Sequence, residues 1–265
     1  RVKECAPFEN VYTLALRGLH DRAMNASNDM GDRKDMLQEA LMAQRQMLID
    51  AIGKPGEEIP QAFTPYKEVL DVYDEGLELP DDVTIIWPDD NYGYMKRLSS
   101  PKEQKRSGRS GVYYHSSYLG KPHDHLWMNT VSPTLMYEEL RKAYDATADR
   151  IWLLNAGDIK SCEFAVDYFL TMAFDIDAFN FERAANYRTE WLCGMLGDQY
   201  RNEYQDVVNS FYKLAFARKP EFMGWGYQWT TDKHGRERNT DTDFSLTNYR
   251  EVDNRLSEYR RIGGI

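Results

Sequence analysis

The run Val83-Thr84-Ile85-Ile86-Trp87, followed at once by Pro88-Asp89-Asp90-Asn91-Tyr92-Gly93, carries the first reading of this chain. Its apolar and β-branched residues do not alternate in polarity, so neither face of the segment is built for water. That is the pattern of a strand buried on both sides, as in a parallel sheet covered by helices. Working outward, Ile151-Trp152-Leu153-Leu154 repeats the pattern, and Val11-Tyr12-Thr13-Leu14-Ala15-Leu16 and Gly111-Val112-Tyr113-Tyr114 are shorter runs of the same kind. Helical periodicity lies between them. Met36, Leu37, Ala40, Leu41, Gln44, Met47, Leu48 and Ala51 recur mostly at spacings of three and four, which predicts a helix over 32–52 ended by Gly53 and Pro55. Thr64 and Pro65 predict the start of a helix running to about Gly76, Ser132 and Pro133 one reaching Ala146, and Ser161 the cap of another. Strand and helix in alternation predict an α/β fold. Four parallel strands are visible, half of what an eightfold barrel needs, so residues 1–180 are expected to be half a (β/α)8 barrel or a small open sheet. Beyond residue 180 the stretches 187–196, 199–217 and 248–261 predict an all-helical segment, interrupted by an irregular loop over 225–243.

Composition narrows the functional classes. The 265 residues carry 33 Lys and Arg against 43 Asp and Glu, a net charge of −10, which argues against a nucleic-acid partner. No apolar run approaches the roughly 18 residues of a membrane span. Three cysteines without a CxxC pair make a disulfide framework and a structural zinc site poor readings, and Cys162 and Cys193 read as buried thiols. Tyr at 18, Phe at 11 and Trp at 6, in a chain of mean hydropathy −0.69, suit either a sugar-stacking surface or ordinary core use; composition alone favours the second. The start at Arg1-Val2-Lys3, without Met or an apolar leader, and the end at Gly263-Gly264-Ile265 read as those of a processed piece.

Position is more informative than composition. Each strand run ends in a polar cluster at its C-terminal end: Arg17-Gly18-Leu19-His20-Asp21, Asp89-Asp90-Asn91-Tyr92, Tyr113-Tyr114-His115-Ser116 and Asn155-Ala156-Gly157-Asp158-Ile159-Lys160. In a parallel sheet those ends share one edge, where ligands and catalysis sit; capping and loop turns are the plainer explanation. The edge offers carboxylates, two cations, imidazoles, amides and phenols, but no Gly-rich phosphate loop and no nucleophile elbow. Paired carboxylates suit glycoside cleavage, which needs one protonated and one ionised, and Arg17 with Lys160 would suit an acidic sugar.

Five motifs come in order: Arg17-Gly18-x-His20-Asp21, Trp87-x-Asp89-Asp90-Asn91-Tyr92-Gly93, Gly111-Val112-Tyr113-Tyr114-His115-x-Ser117-Tyr118-x-Gly120, Trp127-x-Asn129-Thr130 and Asn155-x-Gly157-Asp158-x-Lys160. Together they resemble glycoside hydrolase family 115, the xylan α-glucuronidases, over residues 10–175 and more weakly beyond. Ala156 stands where Val is expected. The resemblance implies the C-terminal half of a catalytic (β/α)8 barrel over 1–180 and part of a helical domain over 181–265. It implies removal of glucuronic acid or its 4-O-methyl ether from glucuronoxylan or aldouronic acid oligosaccharides, with inversion and without a cofactor. The intact protein would be secreted or periplasmic, and a homodimer is compatible with the family. Asp89, Asp90 and Asp21 are then candidate catalytic groups. Arg17, His20, Asn91, Tyr92, Tyr113, His115, Trp127, Asn155 and Lys160 are candidate substrate contacts.

Four rival readings accompany these. Asp89 and Asp90 adjoin at a strand end, so at most one is expected to face a site, the other serving the turn. His123-Asp124-His125 invites a metal reading but lacks an evident third ligand, and no metal site is expected. The six basic residues between Lys96 and Arg109 read as a solvated loop, or as an attractor for an anionic polymer. A non-catalytic carbohydrate-binding or structural piece remains the alternative to an enzyme.

Overall fold

The computed structural model describes residues 1–19, 22–120, 123–222, 228–231, 237–240 and 252–265, as backbone alone at 228–231, 237–240 and 252. Its main sheet has five strands in the order β1 (Tyr12–Thr13), β2 (Gln61–Phe63), β3 (Thr84–Pro88), β4 (Ser110–His115) and β5 (Trp152–Asn155). The first three pairings are parallel: Tyr12 with Gln61, Ala62 with Thr84, and Ile85 with Ser110. Between β4 and β5 the ladder advances in the same sense, Arg150 donating to Ser110, Val112 to Ile151, and Ser116 to Asn155. All C-terminal strand ends therefore lie on one edge. The eight α-helices are α1 (Val2–Cys5), α2 (Met30–Ile52), α3 (Glu68–Asp74), α4 (Pro133–Asp145), α5 (Glu163–Phe174), α6 (Phe181–Leu196), α7 (Arg201–Ala217) and α8 (Val252–Ile262) among the described residues.

Five parallel strands with helices form the half-barrel expected, with one strand more than the four anticipated. The additional one, β2, is three residues long and carries a buried Gln61, whose amide donates to the Gly56 and Ile59 carbonyls at 2.8 Å. A short strand with a polar buried residue gives no apolar run. The helix expected from Thr64 begins instead at Glu68, because Tyr66 N–H turns back onto the Thr64 carbonyl and Lys67 takes a positive φ of 52° before the helix opens. Ser161 caps nothing: a 3-10 turn over Ile159–Cys162 tightens the entry to α5, and its hydroxyl donates back to the Asp158 carbonyl. In the stretch expected to be an irregular loop, β6 (Gln228–Thr231) and β7 (Glu237–Thr240) pair antiparallel. Their residues are largely polar, so the ladder is held by backbone hydrogen bonds that hydrophobic patterning does not reveal.

Two compact units divide the chain. The first comprises Arg1–Pro88, Met95–Tyr113 and Lys142–Leu153; the second Asp89–Tyr94, Tyr114–Arg141 and Leu154–Ile265. In the first, Leu37, Leu41 and Leu48 of α2 join Val69 and Val72 of α3 and Phe63, Ile85 and Trp87 of the sheet in one core. Asp29 caps α2 by accepting from Asp32 N–H, and Gly53, at φ 75°, ends it in the left-handed conformation. The basic stretch 96–109 belongs to this unit. Arg97 pairs with Asp74 and Glu103, Arg106 holds the Leu79, Pro80 and Val83 carbonyls, and Arg109 pairs with Asp149. In the second unit the core is aromatic. Tyr168 sits edge-on to Phe179 and Tyr187, and its hydroxyl donates to the Pro133 carbonyl at 2.8 Å.

Candidate active site

The C-terminal extensions of β3, β4 and β5 fall in the second unit. The first of them, 89–94, is a tight turn dictated by its residues. Asn91 takes a left-handed φ of 66° and Gly93 a φ of 94°, conformations that Asn and Gly adopt most readily. A Cβ on Gly93 would lie 2.7 Å from Val131 Cγ1 and 2.9 Å from the Tyr114 hydroxyl. The Tyr114 hydroxyl donates to the Gly93 carbonyl at 2.7 Å, fastening the turn to β4. Burial, and behind it the neighbouring carboxylates Asp89, Glu139 and Asp90, push the Tyr114 phenol well above its ordinary pKa, so it remains a donor.

The two adjacent aspartates diverge. Asp89 is 2% exposed and both its oxygens are taken: Oδ1 accepts from Asn91 N–H at 3.1 Å and lies 2.6 Å from His115 Nδ1, and Oδ2 accepts from His115 N–H at 3.0 Å. Asp90 is half-buried. Its Oδ1 accepts from Tyr92 N–H at 2.8 Å and Tyr94 N–H at 3.1 Å, which leaves Oδ2 outside the turn's own bonds. Chemically the pair splits into a carboxylate that holds an imidazole and a carboxylate that a ligand can reach.

Around this turn the second unit gathers further candidates. Asn91 Nδ2 donates to the Leu119 carbonyl at 2.9 Å. Tyr92 packs on Tyr118 with ring centroids 4.5 Å apart, and both rings meet Phe222. The Tyr118 phenol is driven above its ordinary range by burial first and its hydrogen bond with Tyr92 second. The carbonyl of Asn155 accepts from the Ser116 N–H and hydroxyl, which places Asn155 beside the residue following His115. Lys160 is exposed on the 3-10 turn. Trp127, 61% exposed, lines a separate apolar cavity of about 530 Å³ with Met128, Arg188, Phe211 and Tyr259.

Two sequence candidates lie in the first unit. Arg17 forms a two-pronged bond with Glu68, 3.1 and 3.0 Å, with its guanidinium 5.4 Å from the Tyr66 ring. Tyr113 packs edge-on to the same ring at 5.7 Å. His20 and Asp21 fall outside the described residues. Among the described residues no group of three His, Cys, Asp or Glu side chains is placed to hold a metal; His123 and His125 stack on each other.

One part of the site has no counterpart in the motifs. Glu221, fully buried, accepts from Thr130 Oγ1 at 3.0 Å and Ser117 Oγ at 3.5 Å, while Lys219 Nζ donates to the Thr130 carbonyl at 3.3 Å. Ser117 and Thr130 stand inside the quoted motifs, but their partner is 104 residues downstream of Ser117, just beyond the stretch 199–217 read as helix.

The family model for glycosyl hydrolase family 115 matches residues 1–222. Among solved structures, a family GH115 4-O-methyl-α-glucuronidase, BtGH115A, with specificity for decorated arabinogalactans, superposes with a TM-score of 0.86 and 38% sequence identity. The match covers 98% of this chain and 34% of that one, so the present chain spans about a third of its neighbour. Comparison with curated proteins gave no match.

Proposed function

The chain belongs to glycosyl hydrolase family 115, and from that premise we propose that the edge carrying Asp90 and the Asp89–His115 pair contributes to hydrolysis of α-linked glucuronic acid side chains. The divergence of Asp89 and Asp90 carries this reading. A carboxylate whose Oδ2 stands clear of its turn can act on a proton or on a water, while its neighbour fixes the imidazole of His115. In the inverting reaction one carboxyl protonates the glycosidic oxygen, and a second, about 6.5–9.5 Å away, takes a proton from the water that attacks the anomeric carbon. The leaving chain departs with a hydroxyl and the sugar as its β-anomer.

Glucuronoxylan and aldouronic acids are the proposed substrates. The neighbour's specificity for decorated arabinogalactans makes that polymer the comparison to include. Polymers of this kind are met outside the cytoplasm, which supports a secreted or periplasmic place for the intact enzyme. The test is release of glucuronic acid or its 4-O-methyl ether from both polymers by the full chain, with the anomer followed by NMR. Release with the β-anomer appearing first supports the reading; no release from either polymer overturns it.

A further inference from the structure

We propose that the cavity enclosed by α6, α7, α8 and the Leu126–Met128 turn binds a small aryl carboxylate, its ring among Trp127, Phe211 and Tyr259 and its charge on the Arg188 guanidinium. The inference stands apart from the hydrolase reading. The cavity measures about 530 Å³, the size of a small-molecule site. It shares no lining residue with the cavity of about 490 Å³ bordered by Tyr92, Tyr94 and Lys219. Its walls are chiefly apolar: Met128, Leu192 of α6, Val207 and Val208 of α7 and Ile262 of α8 join the three rings. A sugar there would leave hydroxyls unpaired against valine and isoleucine, at a cost for each. A flat aromatic body instead finds rings to stack on or meet edge-on.

Two polar groups interrupt the apolar lining. The Arg188 guanidinium carbon lies 5.1 Å from the centre of the Phe164 ring, 5.3 Å from that of Tyr212 and 5.7 Å from that of Phe211, so the rings hold the cation in place. Its hydrogen bond is to a neutral group, Nη1 donating to the Tyr212 hydroxyl at 2.5 Å, and among the described residues no carboxylate pairs with it. The acids of α6, α7 and α8 that form ion pairs do so with other arginines: Glu190 with Arg201, and Asp206 and Glu258 with Arg261. A guanidinium carries five N–H donors in one plane, so Arg188 keeps donors for an incoming carboxylate. The second group is the Tyr259 hydroxyl, buried and without a hydrogen-bond partner among the described residues. Burial raises its pKa, so it stays protonated, and a ligand oxygen would satisfy it. The wall that carries it is fixed, because Arg261 of α8 pairs with Asp206 of α7 and donates to Ser210 at 2.9 Å. One guanidinium, with no second cation and no Gly-rich loop in the lining, matches a carboxylate better than a phosphate.

The experiment is calorimetric titration of the full chain with cinnamate, with uncharged cinnamamide and with hexanoate, an acid without a ring, for wild type and Arg188→Gln. Wild type should bind cinnamate about tenfold or more tightly than either comparison compound. Arg188→Gln should lose about tenfold or more in cinnamate affinity, the loss of a charge-assisted bond, and with it the preference for cinnamate over cinnamamide. A merely structural role for Arg188 would leave that preference in place. If Arg188→Gln does not fold, Leu192→Trp, which fills the cavity and keeps Arg188, replaces it and should abolish binding. The site is overturned if wild type does not bind cinnamate, as when a second copy or another segment occupies the cavity, or binds it no better than cinnamamide or hexanoate. Cinnamate affinity within twofold of wild type in the variant overturns it equally.

Discussion

His115 and Asp89 bind each other twice, through the ring Nδ1 at 2.6 Å and through the backbone N–H at 3.0 Å, and both residues are buried. A carboxylate oxygen accepts here, so the pair places a hydrogen on Nδ1 and fixes the orientation of the ring. The bond to the main chain also fixes the end of β4 to the end of β3. Asp89 is in this account a positioning residue, and Asp90 the carboxylate that meets the substrate.

Removing the Asp89 carboxylate strands two backbone donors and a ring N–H in a buried place. Asp89→Ala should lower stability by about 3 kcal/mol, read from urea unfolding. An unchanged midpoint would show that the carboxylate does not organise these strand ends.

Gly93→Ala introduces a Cβ into contact with Val131 and Tyr114 at a φ of 94°. The variant should lose about 2 kcal/mol and a large part of its turnover, because the same turn carries Asp90. Thermal unfolding and a uronic acid release assay measure both, and retention of full activity would mean the turn tolerates movement.

Glu103 offers a pH test away from the site. Burial raises its pKa, but hydrogen bonds from Tyr73 and Ser100 and the Arg97 charge outweigh that, so the folded value lies below the ordinary one. The stability it confers is full above the ordinary glutamate range and is lost as pH falls through the depressed folded value. Glu103→Gln should therefore be less stable than wild type near pH 7, by about 1–2 kcal/mol, with the gap closing on acidification. Its partner Tyr73, pushed up to about 12 by burial and then by Glu103, contributes stability that is full below pH 10 and is lost as pH rises through the folded value. A gap that is constant with pH would remove Glu103 from the linkage.

Trp127 lines a cavity that shares no residue with the one bordered by Tyr92. Trp127→Ala should leave stability within about 0.5 kcal/mol and turnover of a short aldouronic acid near wild type. A collapse of turnover on that short substrate would bring Trp127 back to the sugar.

The sheet was legible where burial was apolar. Val83 to Trp87 is hidden on both faces and reads so; β2 is equally buried but hides Gln61, satisfied by local carbonyls that no pattern announces. The divergence of Asp89 and Asp90 followed from their adjacency at a strand end, whereas the choice of which one turns inward was set by His115, 26 residues away. The sequence offers Arg17 as a carboxylate ligand and shows nothing of Glu68, 51 residues away, which also bonds its guanidinium. Lys219 and Glu221 escaped for the same reason: a 3-10 turn after a helix carries no motif, and only the tertiary fold brings it to Thr130.

The most direct measurement compares wild type and Asp90→Ala in the full chain for release of 4-O-methylglucuronic acid from aldouronic acid, with thermal unfolding recorded alongside. Loss of a catalytic carboxylate predicts a fall in kcat of about 10² to 10⁴, with a lowered unfolding temperature from the lost Tyr92 and Tyr94 bonds and a protein still folded at the assay temperature. Turnover within twofold of wild type in a folded Asp90→Ala protein would contradict the account.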